Sequence, residues 1–230
     1  MLFTSLVFMY FHLAVVALRW ALPRAAVGPM LLVSSYAFYF SAGPRYVLLI
    51  AAATVGAWAL GLALSRRPRA SLLALGVVAL LCVLGYYKYA GFLVAQARAL
   101  AALLGLHASL PSLRVELPLA ISFFTFELIS YLVDVYRGDV PERSLWRFAL
   151  YVAYYPHLIA GPIVRASELL PALREAPRFD GRQFSEGMTI MLVGYFKKTV
   201  LADNLAPAAD AVFASPEQYT PHPVWLGVLA

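Results

Sequence analysis

An all-α, polytopic transmembrane helical bundle with re-entrant or kinked helices is the fold class that this sequence predicts. Three observations carry that reading. Of 230 residues, 62% are hydrophobic and 13% are charged, about half the charged share of a soluble domain. Apolar runs of about 18 residues or more recur along the chain, the length a helix needs to cross a bilayer. Basic residues gather at the ends of those runs, where Lys and Arg set topology and meet anionic headgroups. The excess of 18 Lys and Arg over 12 Asp and Glu, net +6, is therefore a membrane-surface signature. No nucleic-acid motif accompanies it, so nucleic acid is not an expected partner. Cys82 stands alone in an apolar run, which leaves no disulfide framework and no Cys-based metal site.

The elements follow in order. The first run, LFTSLVFMYFHLAVVAL, precedes Arg19 and Arg24. A cleavable signal peptide has the reverse order, so the run is read as a retained span with its N-terminus outside. A second span covers about 27–40. A third covers about 46–64 and ends in SRRPR, with Arg66, Arg67 and Arg69. With basic loops on the cytoplasmic side, these three spans alternate and leave the sparse SAGPR loop outside. A fourth span is expected over about 72–89, followed by a separate, shorter apolar piece to about Leu106.

The polar break HASLPSLRVE leads to a fifth span within LPLAISFFTFELISYLVDVYRGD. Next come PERSLWRFALYVAYYPHLIAGPIVR and the amphipathic stretch ASELLPALREAPRF. A sixth span opens near Phe184 in FSEGMTIMLVGYFKKTVLADNLA. The closing VWLGVLA reads like the first turns of another helix, too short to cross a bilayer. The expectation is one transmembrane domain over residues 1–230, incomplete and part of a longer protein.

A charge near the bilayer centre costs about 2.5–3.5 kcal/mol on insertion scales, so polar residues in the spans mark contacts or cavities. Glu127, Tyr131 and Asp134 are spaced by four and three, which sets them on one helical face. Leu128, Ile129, Leu132 and Val133 cover much of the remainder. The stripe therefore faces protein or a polar cavity, and a structural contact, a cavity lining and a direct chemical role are the readings open to it. Lys197 and Lys198 read as interfacial anchors whose stems snorkel. Lys198 and Asp203 are five apart, so a same-face ion pair between them is not implied.

The stretch YYPHLIAGPIVR, residues 154–165, is the most unusual. Pro156 and Pro162 each remove a helical donor, and Gly161 admits backbone angles that other residues avoid. Irregular backbone at membrane depth survives only where protein or a water-filled cavity satisfies it. The stretch is thus expected to be a re-entrant or interfacial element that brings His157 and Arg165 to a polar pocket. A purely structural role for His157 is the alternative. No HExxH pair, P-loop or GxSxG elbow occurs, and His12, His107, His157 and His222 are scattered. The residues by themselves describe a membrane protein with a buried polar site, and an enzyme or a transporter fits equally.

Four ordered stretches go further: LGYYKYAGF, LPLAISFFTFELISYLVDVYRGD, YYPHLIAGPIVR and FSEGMTIMLVGYFKKTVLADNLA. In wording, order and spacing they resemble the membrane-bound O-acyltransferase (MBOAT) family, in its alginate-type branch. The resemblance covers most of the chain from about residue 80, while the N-terminal spans agree in character. It implies transfer of an acyl group, here acetyl, to hydroxyls of a cell-surface polysaccharide such as alginate. It also implies an acyl donor such as acetyl-CoA as substrate rather than a tightly bound cofactor. Periplasmic polysaccharide-acetylation proteins, the polysaccharide reached through them, and membrane lipids are the implied partners, and the inner membrane is the implied location. The family fold is a ring-like helical bundle thinned into funnels, with His157, Pro162, Arg165, Glu127, Tyr131 and Asp134 as candidate pocket or funnel-lining residues. The family's catalytic histidine belongs to an apolar helix far downstream, and none of the four histidines here matches it. His157 belongs to the earlier Pro-His-Leu-Ile-Ala-Gly-Pro motif. The chain by itself is therefore expected to be inactive. A transporter or flippase, or an inactive truncated product, is the alternative reading.

Overall fold

The computed structural model describes residues 5–104, 115–158, 161–174, 179–218, 224–225 and 227–228, and every regular element among them is helical. The helices are α1 (Leu6–Ala21), α2 (Arg24–Ala42), α3 (Val47–Arg66), α4 (Ala70–Leu103), α5 (Ile121–Arg137), α6 (Leu145–Ala153), α7 (Tyr155–Leu158), α8 (Ala166–Arg174), α9 (Gly181–Phe196) and α10 (Asp203–Ala214). Three stretches, Arg24–Ala42, Pro44–Arg66 and Ala70–Leu103, are long and apolar enough to cross a membrane. The α1 helix is apolar but shorter, and α5 carries Glu127 and Asp134 within 17 residues. His107 and His222 lie outside the described residues, as do residues 159 and 160 of YYPHLIAGPIVR, residues 175–178 of the amphipathic stretch and part of VWLGVLA. The chain divides into two compact units, Phe11–Ala176 and Leu2–Tyr10 with Pro177–Ala230.

In the first unit α5 packs against α3 and α4, and α6 packs against α2 and α3. The core is built from helix stripes: Ile50, Ala57 and Leu64 on α3, Leu80 and Leu84 on α4, and Ile121, Phe124, Leu128, Leu132 and Val135 on α5. Small residues set how closely these helices approach. A Cβ on Gly61 would stand 2.7 Å from the Tyr131 ring, and one on Gly76 would stand 2.9 Å from Leu132 Cδ1. Hydrocarbon is as apolar as the side chains, so close packing of this kind holds membrane helices together.

Those contacts also fix direction. At one end of the unit the Tyr39 hydroxyl donates to Leu119 O (3.0 Å) and the Tyr46 hydroxyl to Glu116 O (3.0 Å). Arg45 pairs with Glu116, and Tyr87 of α4 meets Tyr46 edge-on at 6.1 Å. Gly61 meeting Tyr131 then makes α3 and α5 run the same way, with α4 reversed between Gly76 and Leu132. The SAGPR loop and the SRRPR turn consequently lie at opposite ends of the unit. Past the level of Tyr87, α4 continues unbroken to Leu103. The expected split into a span and a separate piece is not there. From Lys88 onward only Gly91 disfavours helix, and the Ala, Leu, Gln and Arg that follow favour it.

In the second unit, Asp180 caps α9 through its Oδ1, which accepts from Arg182 N (2.8 Å) and Gln183 N (3.4 Å), the usual role of an Asp N-cap. A π-helical segment, Lys197–Ala202, joins α9 to α10. It supplies a pairing that α-helical spacing did not imply: Lys198 pairs with Asp203. In an α-helix five residues turn past the starting face, but the wider π turn bonds residue i to i+5, and the Asp203 N–H donates to Lys198 O. Asn204 Nδ2 donates to Val200 O at 2.8 Å in the same turn.

Candidate functional site

The site begins with a helix that has to stop. The α6 helix closes at Ala153, because Pro156 has no N–H to return to the carbonyl of Val152. One further turn forms as α7. His157 N (3.2 Å) and Leu158 N (3.1 Å) both donate to Tyr154 O, and Gly161 N donates to His157 O at 2.9 Å. Neighbouring helices satisfy what the broken backbone leaves open. The Tyr155 N–H donates to Ser35 Oγ on α2 (3.3 Å), and its hydroxyl lies 2.9 Å from His12 Nδ1 on α1. Downstream, the Tyr151 hydroxyl donates to Val164 O at 3.0 Å. Protein contacts thus supply what irregular backbone needs at this depth. Gly161 is required by close approach, since a Cβ there would stand 2.8 Å from His157 Cβ and 2.9 Å from its carbonyl oxygen.

This backbone turns His157 inward. Its Nε2 lies 3.0 Å from Oε1 of Glu127 on α5. Glu127 is wholly buried and His157 is 8% exposed. The Phe123 ring stands edge-on to the imidazole at 5.3 Å, and the Tyr154 ring lies at 5.7 Å. The pair is half-satisfied: Glu127 Oε2 and His157 Nδ1 are buried and have no hydrogen-bond partner among the described residues. Leaving a buried polar atom unpaired costs about 1–3 kcal/mol, a cost that the fold also carries at Thr125 Oγ1, Tyr131 Oη and Trp58 Nε1. With the imidazole proton on Nε2, Glu127 accepts it and Nδ1 is an available acceptor. Chemically the arrangement can hold a proton between two residues and offer an oriented nitrogen to a hydroxyl.

The sequence stripe on α5 divides here. Glu127 joins His157. Tyr131 is buried, packs on Phe148 with ring centroids 4.4 Å apart, and also lines a neighbouring cavity of about 340 Å³. Asp134 is half-buried, accepts from Ser130 Oγ at 3.5 Å, and lines the same cavity with Asp139, Glu142 and Arg174. Pro162 and Arg165 are exposed, and the structure does not bring either to the pair. The Arg165 carbonyl instead accepts from Glu168 N and Leu169 N. It opens α8, whose buried residues are Ala166 and Leu170.

Glu142, in the turn between α5 and α6, is a polar centre that the sequence reading passed over. Its side chain is 1% exposed. It accepts from Ser144 N (2.8 Å) and Arg147 Nη2 (3.1 Å), and it pairs with Arg174 of α8. Burial works to raise this carboxyl; the Ser144 amide and the Arg174 and Arg147 guanidiniums outweigh it and hold the group below the usual carboxylate range. Arg147 was near enough in sequence to suggest a partner, but Arg174 was not. Among the described residues, no group of three or more His, Cys, Asp or Glu is placed to hold a metal ion.

No family model and no solved structure matches the chain. Curated proteins do. The chain is 39% identical over its whole length to a probable alginate O-acetylase of Azotobacter vinelandii, covering 47% of that protein. It is 40% identical over its whole length to the corresponding protein of Pseudomonas aeruginosa, covering 45% of it. A peptidoglycan O-acetyltransferase of Helicobacter pylori is 33% identical over 61% of the chain, which covers 31% of that protein. The chain thus spans about half the length of the alginate O-acetylases it matches. The similarity takes in the N-terminal spans, where the motifs had shown agreement only in character. By the four motifs and by this end-to-end identity, the chain is similar to the alginate O-acetylases over the half of their length that it spans.

Proposed function

We propose that this chain forms part of a membrane O-acyltransferase that transfers an acetyl group to hydroxyls of a cell-surface polysaccharide such as alginate. The observation that carries the reading is the identity along the whole chain to two proteins named as alginate O-acetylases. The peptidoglycan O-acetyltransferase supports the wider class, polysaccharide hydroxyls as acceptors. The donor on this reading is a soluble acyl carrier such as acetyl-CoA, used as substrate. Its thioester C–S bond breaks as the new C–O bond forms, and the hydroxyl proton ends on the released thiol. The protein is multi-pass in the inner membrane, and periplasmic polysaccharide-acetylation proteins complete delivery.

Within that reaction the Glu127–His157 pair is a positioning element. Glu127 fixes the ring and its tautomer, and Nδ1 orients a polar group inside the apolar bundle. The resemblance assigns catalysis to a histidine that matches none of His12, His107, His157 and His222, so the 230-residue chain alone transfers no acetyl group.

The test is a chimera in which this chain replaces the matching part of the Pseudomonas aeruginosa relative, read out as acetyl content of secreted alginate. Acetylation should be retained, and His157→Ala should lower it about tenfold or more at equal protein level, as the loss of one oriented hydrogen bond predicts. A chimera that inserts normally but leaves alginate unacetylated would overturn the reading. Acetyl transfer by the purified 230-residue chain, abolished by His157→Ala, would overturn the positioning role and make His157 a catalytic residue.

A further inference from the structure

We infer that the turn between α3 and α4, carrying Arg66, Arg67 and Arg69 beside Arg137 of α5, is a binding surface for anionic phospholipid headgroups. Register brings these residues together. Gly61 of α3 meets Tyr131 of α5, and the two helices run the same way. Arg66 and Arg137 therefore lie at one end of the unit, about two turns or less beyond that contact on adjacent helices. Arg66 and Arg137 each sit in the last turn of a helix, where a cation complements the helix dipole. Arg67 and Arg69 have no such duty. Both are held in extended backbone on either side of Pro68.

All four are exposed and form no ion pair among the described residues. The chain explains why. No Asp or Glu occurs before Glu116, so neither helix flanking the turn carries an acid. The acids at this end are Asp134 and Asp139, which flank Arg137 in the chain, Glu168 of α8, and Glu142, which is taken up by Arg147 and Arg174. The turn itself thus carries three guanidiniums and no acid, and guanidinium binds phosphate oxygens in pairs.

Shape and position select lipid over a soluble anion. The turn joins two stretches long and apolar enough to cross a membrane, which puts it at headgroup level. Every residue from Ser65 to Ala70 is exposed, and the 340 Å³ cavity is lined by none of the four arginines. A protruding surface of this kind fits a sheet of phosphates, whereas a discrete soluble ligand needs an enclosing site.

The full chain, placed in nanodiscs of equal phosphatidylglycerol and phosphatidylcholine, tests this by native mass spectrometry of the lipids it retains. Nanodiscs expose both faces equally, so a change in insertion direction does not affect the readout. Phosphatidylglycerol should be retained over phosphatidylcholine by about tenfold, given how strongly each basic residue at the surface attracts anionic lipid. Changing Arg66, Arg67 and Arg69 together to Gln should bring the ratio close to one, and changing all three to Lys should keep at least half of it. Equal retention of both lipids by the unmodified chain, or an unchanged ratio in the Gln variant, would overturn the inference. So would displacement of phosphatidylglycerol by millimolar inorganic phosphate, which would make the turn a site for a free anion. Loss in the Gln and Lys variants alike, with a lowered thermal midpoint in both, would make the arginines structural and overturn it too.

Discussion

Glu142 and Glu127 are both buried carboxylates in the same unit, yet their surroundings differ in kind. Glu142 is saturated: an amide, two guanidiniums and a turn-forming backbone converge on it. Its charge is matched where it is buried, and the result ties α8 to the start of α6. Glu127 has a ring nitrogen at 3.0 Å and the Tyr151 hydroxyl near it, and its Oε2 has no hydrogen-bond partner within bonding geometry among the described residues. The saturated centre has spent its bonding capacity on the fold. The half-satisfied one keeps capacity in reserve, and the fold bears the cost of the orphaned atoms. Burial alone therefore does not describe a carboxylate's setting; the count of satisfied atoms separates these two, and the proposed role of Glu127 turns on the second.

The sharpest way to break the comparison is to remove Glu142. Glu142→Ala leaves Arg147 and Arg174 without their partner and deletes the acceptor for Ser144 N. Breaking a buried pair costs about 3–5 kcal/mol, and the half-exposed guanidiniums bring this towards about 2–3 kcal/mol. Thermal melts of the chain in detergent should show the loss. The same contact predicts a pH dependence. The folded pKa of Glu142 is depressed, so its contribution is complete above the unfolded value of about 4.3 and is lost as pH falls through the lower folded value. Melts of the unmodified chain should weaken with acid in that window, and those of Glu142→Ala should weaken less. A midpoint for Glu142→Ala equal to the parent would show that the cluster contributes nothing to the fold.

The Glu127–His157 pair should behave in the opposite way. Changing Glu127 to Leu and His157 to Phe together removes two orphaned atoms and a buried polar contact. Replacing a buried pair by apolar residues is often neutral or stabilising, so the thermal midpoint should stay within about 1 kcal/mol of the parent. In the alginate-acetylating chimera the same double change should abolish polymer acetylation. Unfolding of the double variant would place Glu127 beside Glu142 as a structural group.

Asp134→Asn is the smallest change. Asp134 is half-buried with one long contact to Ser130, and Asn retains an acceptor there. The shift in stability should stay within about 0.5 kcal/mol, as for most substitutions away from buried networks. A loss of acetylation in Asp134→Asn chimeras would extend the functional stripe along α5 into the neighbouring cavity.

How much of this was legible beforehand depends on the range of the physics involved. The apolar runs, the helix-breaking Pro156, and the shared face of Glu127 and Tyr131 depend on neighbours within a few residues. Hydropathy and helical period express that local chemistry directly. The stripe on α5 was therefore visible as a stripe, and the break before His157 as a break. The sequence could not say that Arg165 would turn outward to start α8, because the path of an irregular segment depends on which helices bind its free backbone groups. The pairing of Lys198 with Asp203 was missed for a related reason, since an α-helical period was assumed where the chain adopts a π turn.

By itself, then, the sequence determined an all-helical membrane chain, the helix break at Pro156, and a family resemblance carried by ordered motifs. Only the tertiary structure decided the partners. Glu127 meets His157 across 30 residues, and Glu142 meets Arg174 across 32. Partition into lipid is a sum over residues and can be read along the chain. A hydrogen bond between two helices requires their separation, rotation and register to agree at once, and those depend on tertiary packing of the kind that α3 and α4 make against α5 at Gly61 and Gly76.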